Sequence, residues 1–459
     1  MKFYALVVLA GLAAVAALAA AVLRPRPFVL ALPFLAIVNG LGVPIGPVSA
    51  RADQLVAAAL AAALAVSVVA GTRTLRMDAT AWWLGAVLAA NLVASALNSP
   101  VPAYSLAQCA NLASAWVIYP VLINYLDSRA EIERFFTCSL WAAGIASAIG
   151  VVAFLLAIAG FSLGGAEVSQ DAAEHLTNAY GAYGTMFEPN IFGSFTAAML
   201  VLCIGLLAAP AGAATRSVPP RLLRWVAGLT ATALVLSFTR AAWVGAVAGV
   251  IVFAALGGRT IGARPQLRRI LLPLGAGALL ILVVALVAGN AAALLQFKVL
   301  NLFNLESQTA ALRITTYAMA LDQWVSHPFV GWGTFTFAPL MAQGSDFQQF
   351  EGWRNLWIGN FLMLALHDTG VIGVALWMAL LAGVLRGGIR AARAYGALDG
   401  LGDASAAQRT LALTAAVAAL IVPYLATSGF SLGHTWLIIG LLGAHTARAS
   451  AADPGASAT

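Results

Sequence analysis

LRWVAGLTATALVLSFTRAAWVGAVAGVIVFAAL, residues 223–256, decides how the chain is read. Leu223 to Phe238 is one apolar run and Ala241 to Leu256 is another, with Arg240 at the junction. Each run is long enough to be a membrane span, and the junction is too short for an ordinary loop. An ionisable side chain near membrane depth costs several kcal/mol, so Arg240 is a functional candidate by default. The plainer alternative is an arginine that snorkels to the bilayer edge.

The rest of the chain has the same character. Of its 459 residues, 62% are hydrophobic and 9% are charged, against roughly 25% charged in a soluble domain. Apolar runs recur over 4–23, 27–43, 54–70, 81–98, 105–125, 135–163, 190–209, 223–238, 241–256, 270–288, 356–385, 410–430 and 434–447. The expectation is an all-α polytopic transmembrane bundle of 12–13 spans over 1–447, with a disordered cytoplasmic tail at 448–459. Residues 4–23 resemble a signal peptide, but the run is long and more spans follow, so it reads as a first membrane helix. The run 27–43 is short and broken by Gly40, Gly42 and Pro44, so it is either a span or a re-entrant segment. No internal repeat is visible.

Net charge is +7, yet the basic residues are spread over short loops without aromatic interleaving, which speaks against a nucleic-acid partner. Cys109, Cys138 and Cys203 lie in or beside apolar runs and show no metal-ligand spacing. Alternate loops divide the arginines unevenly. Seventeen basic residues, among them Arg73, Arg129, Arg221 and Arg390, fall on one side; Arg51, Arg240, Lys298, Arg313 and Arg354 make five on the other. Positive charge stays in the cytoplasm. Arg240 and the long loop 289–355 are therefore expected outside, on the periplasmic face of a bacterial inner membrane. A re-entrant 27–43 would move only Arg24, Arg26 and the N-terminus.

Loop 289–355 is too aromatic for disorder. Ile314, Tyr317, Leu321 and Trp324 recur at helical spacing, opposite Thr315, Asp322, Gln323 and Ser326. This predicts an amphipathic helix on the membrane surface or over a cavity, ended by Pro328. Arg313 opens it. Trp353-Arg354 precedes the next span, which begins with Trp357-Ile-Gly359-Asn360. Arginine binds phosphate bidentately and keeps its charge. Arg240, Arg313 and Arg354 facing one cavity would hold a diphosphate without a metal. The alternatives are contact with lipid headgroups for Arg313 and a juxtamembrane anchor for Arg354.

These motifs together resemble the O-antigen ligase and polymerase superfamily. The pattern is Ser237-x-x-Arg240-x-x-Trp243, then Arg313, His327-Pro328-Phe-Val-Gly331-Trp-Gly333, Asn360, and Asp368-Thr-Gly370-Val-Ile-Gly373. Tyr183-Gly-Thr-Met-Phe187-Glu-Pro189-Asn190 resembles a further family segment. The resemblance implies a metal-independent membrane glycosyltransferase with a GT-C-like bundle and no cofactor. It implies an undecaprenyl-diphosphate-linked glycan donor, a glycan or lipid acceptor, and donor-diphosphate contacts from Arg240 and Arg313. Trp353, Arg354 and Asn360 join these as expected substrate contacts.

One position departs from the family. Ligases carry histidine directly before the asparagine that matches Asn360, and here that residue is Gly359. This tilts the reading toward a polymerase, with a ligase acting on lipid A core as the alternative. His367, seven residues from Asn360 and on the same helical face, and His434 are the replacement candidates for acid–base work. The competing view of both is a structural histidine, and for His367 a pairing with Asp368. Glu188, Glu306 and Glu351 are carboxylate candidates; the alternative is that a diphosphate held by arginines leaves well enough to need no base. Outside this class, a transporter or flippase of lipid-linked glycan remains as a rival; the single large loop and the missing repeat favour an enzyme.

Overall fold

The computed structural model describes residues 16–45, 48–161, 164–168, 180–208, 218–260, 275, 308–343, 357–397 and 404–452. After a helical stretch over 16–23, helix α1 spans Pro25–Ala36. A hairpin follows, β1 Gly42–Ile45 and β2 Val48–Arg51, with Gly42 opposite Arg51. Gly40, Gly42 and Pro44 cannot continue the helix cheaply, so the run expected as 27–43 ends early and turns. Helices α2 Ala52–Val69, α3 Ala79–Leu97, α4 Pro102–Trp116, α5 Ile118–Tyr125 and α6 Arg129–Ile158 come next. Asp78 caps α3 through the Ala81 amide at 2.9 Å, and Ser128 caps α6 through the Glu131 amide at 3.2 Å.

A second short hairpin, β3 Ala166–Val168 and β4 Tyr180–Ala182, leads to α7 Pro189–Leu207, α8 Pro220–Leu236 and α9 Arg240–Thr260. Then come α10 Gln308–Trp324, α11 Phe337–Gln343, α12 Phe361–Ala397, α13 Ala404–Tyr424 and α14 Gly433–Ala452. Helix α14 thus extends into the stretch expected as a tail from 448, because Ala447, Ala449, Ala451 and Ala452 favour helix. Residues 453–459, the expected span 270–288 apart from residue 275, and Glu306, Glu351, Trp353 and Arg354 lie outside the described residues.

Among the described residues, eight helices are long and apolar enough to cross a membrane. The chain is an all-α polytopic membrane protein. α1, α8 and α14 pack with the eight as shorter or less apolar members. The centre is set by enclosure: α7 is 89% buried and α13 83%, whereas α9 is only 28% buried. α13 packs on α7, α9 and α12. Small residues allow this. A Cβ on Gly245 would stand 2.6 Å from the Ala419 carbonyl oxygen, and one on Gly249 2.8 Å from the Ala419 Cβ. Close backbone approach replaces hydrophobic drive where lipid is the solvent.

The two ends of the bundle differ. At the basic end Arg26 pairs with Glu131 at 3.1 Å, Arg73 with Asp127 at 3.5 Å, and Arg409 with Glu133 at 3.1 Å. The far end of α1 meets the other end of the bundle, where Thr185 Oγ1 donates to the Ile37 carbonyl at 2.6 Å. α1, 12 residues long, therefore joins Arg26 beside Glu131 to Ile37 beside Thr185.

Candidate active site

The end opposite the ion pairs gathers the starts of α7, α9, α12 and α14. Helix N-termini carry partial positive charge and unpaired amides, so this end is disposed toward anions. Arg240 is the first residue of α9. A cation at this position opposes the helix dipole.

The junction that presents Arg240 is fixed by its own side chains. Phe238 adopts φ +50. Ser237 Oγ donates to the Leu234 carbonyl at 2.8 Å, and Trp243 Nε1 donates to the same carbonyl at 3.0 Å. Thr239 Oγ1 donates to the Pro189 carbonyl at 3.0 Å, tying the turn to the start of α7. Ser237, Thr239 and Trp243 thereby hold the turn that presents Arg240.

Glu188 precedes Pro189 in extended backbone and makes no cap to its own helix. Its Oε1 accepts instead from Thr427 Oγ1 at 3.2 Å. Thr427 belongs to the turn 425–432 between α13 and α14. Its neighbour Ala426 presents a carbonyl oxygen 3.7 Å from where a Gly359 Cβ would stand, and Arg313 Nε lies 3.6 Å from the same point. Tyr317, one turn after Arg313, donates from Oη to the Gly359 carbonyl at 3.0 Å. Burial pushes the Tyr317 phenol above its ordinary pKa, while Arg313 and the Asn360 side chain pull it down. A continuous path of contacts therefore joins Arg240 to Arg313: Thr239, Pro189, Glu188, Thr427, Ala426, Gly359.

Asn360 sits in this path as the N-cap of α12. Its Oδ1 accepts from the amides of Leu362 at 2.9 Å and Met363 at 3.2 Å. That oxygen is committed to the helix, and the amide nitrogen faces the Tyr317 phenol. The expected amphipathic helix is α10, and one residue of its polar face departs from the expectation. Thr316 and Ala320 are buried, while Ile314 and Leu321 are exposed. Gln323, expected on the outer polar face, turns inward to His367.

Both histidine candidates are buried and engaged. His367 is 1% exposed; Nδ1 meets Asp368 Oδ1 at 2.9 Å and Nε2 meets Gln323 Oε1 at 2.8 Å. Its helix breaks at Gly370, φ 64 and ψ −166. The segment 328–335 fills the break: Trp332 N–H donates to the His367 carbonyl at 3.0 Å, Gly333 N–H to the Asp368 carbonyl at 2.9 Å, and Val371 N–H to the Pro328 carbonyl at 3.0 Å. Phe335 N–H donates to Asp368 Oδ2 at 2.8 Å. His367 is thus part of a lock between two motifs, with both ring nitrogens engaged. His434 is 0% exposed. It lies between Asn39 Nδ2 at 3.5 Å and Tyr424 Oη at 3.4 Å, edge-on to Phe195. Its ring is enclosed between Phe195 of α7 and Tyr424 of α13.

Arg51 and Asp53 were not anticipated. Arg51 Nη2 donates to the Ser431 carbonyl at 2.6 Å, and Nε stands 3.6 Å from Asp53 Oδ1. Both are buried. They clamp the turn 425–432 from the side of β2. The available signal was Arg51 itself, one of the few basic residues on the minority side, with an acid two residues later at the start of an apolar run. Among the described residues no three His, Cys, Asp or Glu side chains gather as metal ligands.

Residues 225–378 match the O-antigen ligase family model. The matched stretch includes Arg240, Arg313, Gly359, Asn360 and the Gly370 break. The match supports the O-antigen ligase/polymerase superfamily. No curated protein matches the chain.

Proposed function

From the O-antigen ligase match and the linked arginines, we propose an inner-membrane glycosyltransferase that draws glycan from an undecaprenyl-diphosphate donor at the periplasmic face. The carrying observation is the contact path between Arg240 and Arg313, two guanidinium groups at an end where four helix N-termini meet. As the anomeric bond breaks, negative charge develops on the departing diphosphate. Fixed cations there stabilise the transition state more than the ground state. Guanidinium groups meet this need without a metal ion. The lipid tail stays in the bilayer while the diphosphate reaches the arginine end, which suits a donor that never leaves the membrane. The uneven arginine distribution supports the outward, periplasmic placing of that end.

The reading within the class is a polymerase, whose acceptor is another lipid-linked glycan unit. Gly359 supports it, because the ligase histidine is missing there. The ligase reading, with lipid A core as acceptor, is the second arm of the test. Purified protein in lipid nanodiscs receives a defined polyprenyl-diphosphate glycan, with a lipid-linked acceptor in one arm and a core-lipid acceptor in the other. Lengthened glycan and released polyprenyl diphosphate are expected in the first arm. Transfer only to core lipid makes the chain a ligase, and binding without release makes it a transporter.

A further inference from the structure

We propose that Trp357 is a stacking face for the first sugar of the lipid-linked donor, a role that rests on the glycosyltransferase reading above. That sugar is bonded directly to the diphosphate. A side chain that recognises it must stand beside the guanidinium groups that hold the diphosphate, and must leave a flat face open.

The other indoles at this end are committed elsewhere. Nε1 of Trp243 donates to the Leu234 carbonyl at 3.0 Å, that of Trp324 to the Pro328 carbonyl at 3.0 Å, and that of Trp332 to the Gln323 carbonyl at 2.7 Å. Trp116 and Trp436 share the Phe430 carbonyl. Trp377 is buried against Trp116, Phe361 and Phe430. Trp357 differs in both respects. It is 42% exposed, and among the described residues its ring N–H meets no acceptor.

Its place is set by the two residues that follow. Ile358 is 0% exposed and clusters with Ala320 of α10 and with Phe337 and Met341 of α11, which pins this segment to the helix that carries Arg313. Gly359 comes next, and the point where its Cβ would stand is 3.6 Å from Arg313 Nε. Two residues of chain span at most about 7 Å, so the indole is within side-chain reach of that guanidinium. Two other large apolar side chains are exposed along the contact path, Phe187 before Glu188 and Leu425 before Ala426. Leucine has no flat face, and phenylalanine has no N–H to give a sugar hydroxyl.

A pyranose presents a face of polarised C–H bonds and an edge of hydroxyls. The indole face carries the negative part of the ring quadrupole and suits the C–H face, while Nε1–H suits the hydroxyl edge. Such a face reads the shape of a sugar ring and not one hydroxyl, so any pyranose serves as a probe.

The test is equilibrium binding to the full chain in lipid nanodiscs with two probes, polyprenyl-diphosphate-linked N-acetylglucosamine and bare polyprenyl diphosphate. Trp357→Ala should weaken the sugar-bearing probe on the order of tenfold, the scale of one aromatic stack. Binding of the bare probe should stay near wild type, which also shows that the variant is folded. Trp357→Phe keeps a ring and should retain most of the sugar preference. Trp357→Leu keeps apolar bulk without a ring and should behave like Ala. Equal weakening of both probes overturns the role and makes Trp357 a contact of the lipid tail or a bilayer-edge anchor. So does unchanged binding of the sugar-bearing probe in the Ala variant, full rescue by Leu, or a wild-type protein with no preference for the sugar-bearing probe. Release of polyprenyl diphosphate is read separately. Donor binding without release overturns the glycosyltransferase reading, while the two-probe difference still decides whether Trp357 meets the sugar.

Discussion

Gly370 lies directly against Phe329: a Cβ on the glycine would overlap the Phe329 carbonyl. The approach lets the Phe329 carbonyl accept the Ile372 amide at 3.3 Å, beside the Pro328–Val371 bond at 3.0 Å. Irregular backbone inside a membrane bundle needs such partners, since lipid offers none. The break in α12 and the segment 328–333 are thus one unit. The His-Pro…Gly-Trp-Gly and Asp-Thr-Gly motifs share a structural reason to occur together.

Gly370→Ala should therefore be among the most damaging single changes in the chain. It combines positive φ with a backbone clash, each costing on the order of 1–3 kcal/mol. Thermal unfolding of detergent-solubilised protein should show a large fall in Tm. An unchanged Tm would mean that α12 runs through without the break.

His367→Ala should act on stability rather than on chemistry. It strands Asp368 Oδ1 and Gln323 Oε1 in a buried setting, at a cost of about 1–3 kcal/mol. The Tm should drop, while turnover per folded molecule at low temperature stays within about threefold of wild type. That ceiling sits below the smallest loss expected for a missing general base, roughly 10²-fold, so a loss on that scale in fully folded protein would return His367 to the catalytic list.

Arg240→Lys and Arg313→Lys keep charge and lose the two-pronged fork. Both variants should insert normally and lose most glycan transfer, on the order of 10²-fold or more by analogy with removing one oxyanion donor. Near-normal transfer in both would leave the arginines as bilayer-edge anchors.

Gly359→His should be tolerated by the fold. The nearest atoms to its Cβ position are Arg313 Nε at 3.6 Å and the Ala426 carbonyl oxygen at 3.7 Å, ordinary contact distances. The Tm should stay within a few degrees of wild type. If the polymerase reading is right, the variant still lengthens lipid-linked glycan and gains no transfer to core lipid. Newly acquired core-lipid transfer would identify the parent as a ligase that had lost its base.

Ser326→Cys tests orientation. The residue is exposed just beyond α10, and the native Cys109 and Cys203 are buried. In intact spheroplasts the variant should react with a membrane-impermeant maleimide beyond the background of a Cys138-containing parent. Labelling only after permeabilisation would turn the arginine end inward.

Local rules carried the sequence reading furthest. Apolar runs located the helices, and the turn chemistry of Pro328 follows soon after the end of α10. Long-range pairings stayed hidden. Glu188 meets Thr427 across 239 residues of chain, and Arg51 meets Ser431 across 380. Neither pair has a periodicity to betray it. Gln323 was misplaced for a related reason: its helix periodicity allowed either face inward, and only the buried ring of His367 decides which. The β1–β2 hairpin was read as the end of a span, because four-residue strands leave too short a pattern to compete with the apolar run before them.

The turn 425–432 touches both halves of the site and is itself held at three points. Arg51 grips the Ser431 carbonyl at 2.6 Å, while Trp116 and Trp436 donate to the Phe430 carbonyl at 2.8 Å and 2.7 Å. With Glu188 on one flank and Gly359 on the other, its width sets the distance between the start of α7 and the start of α12. It works as a gauge block. One residue added to or taken from this turn would reset the spacing of those two helix starts.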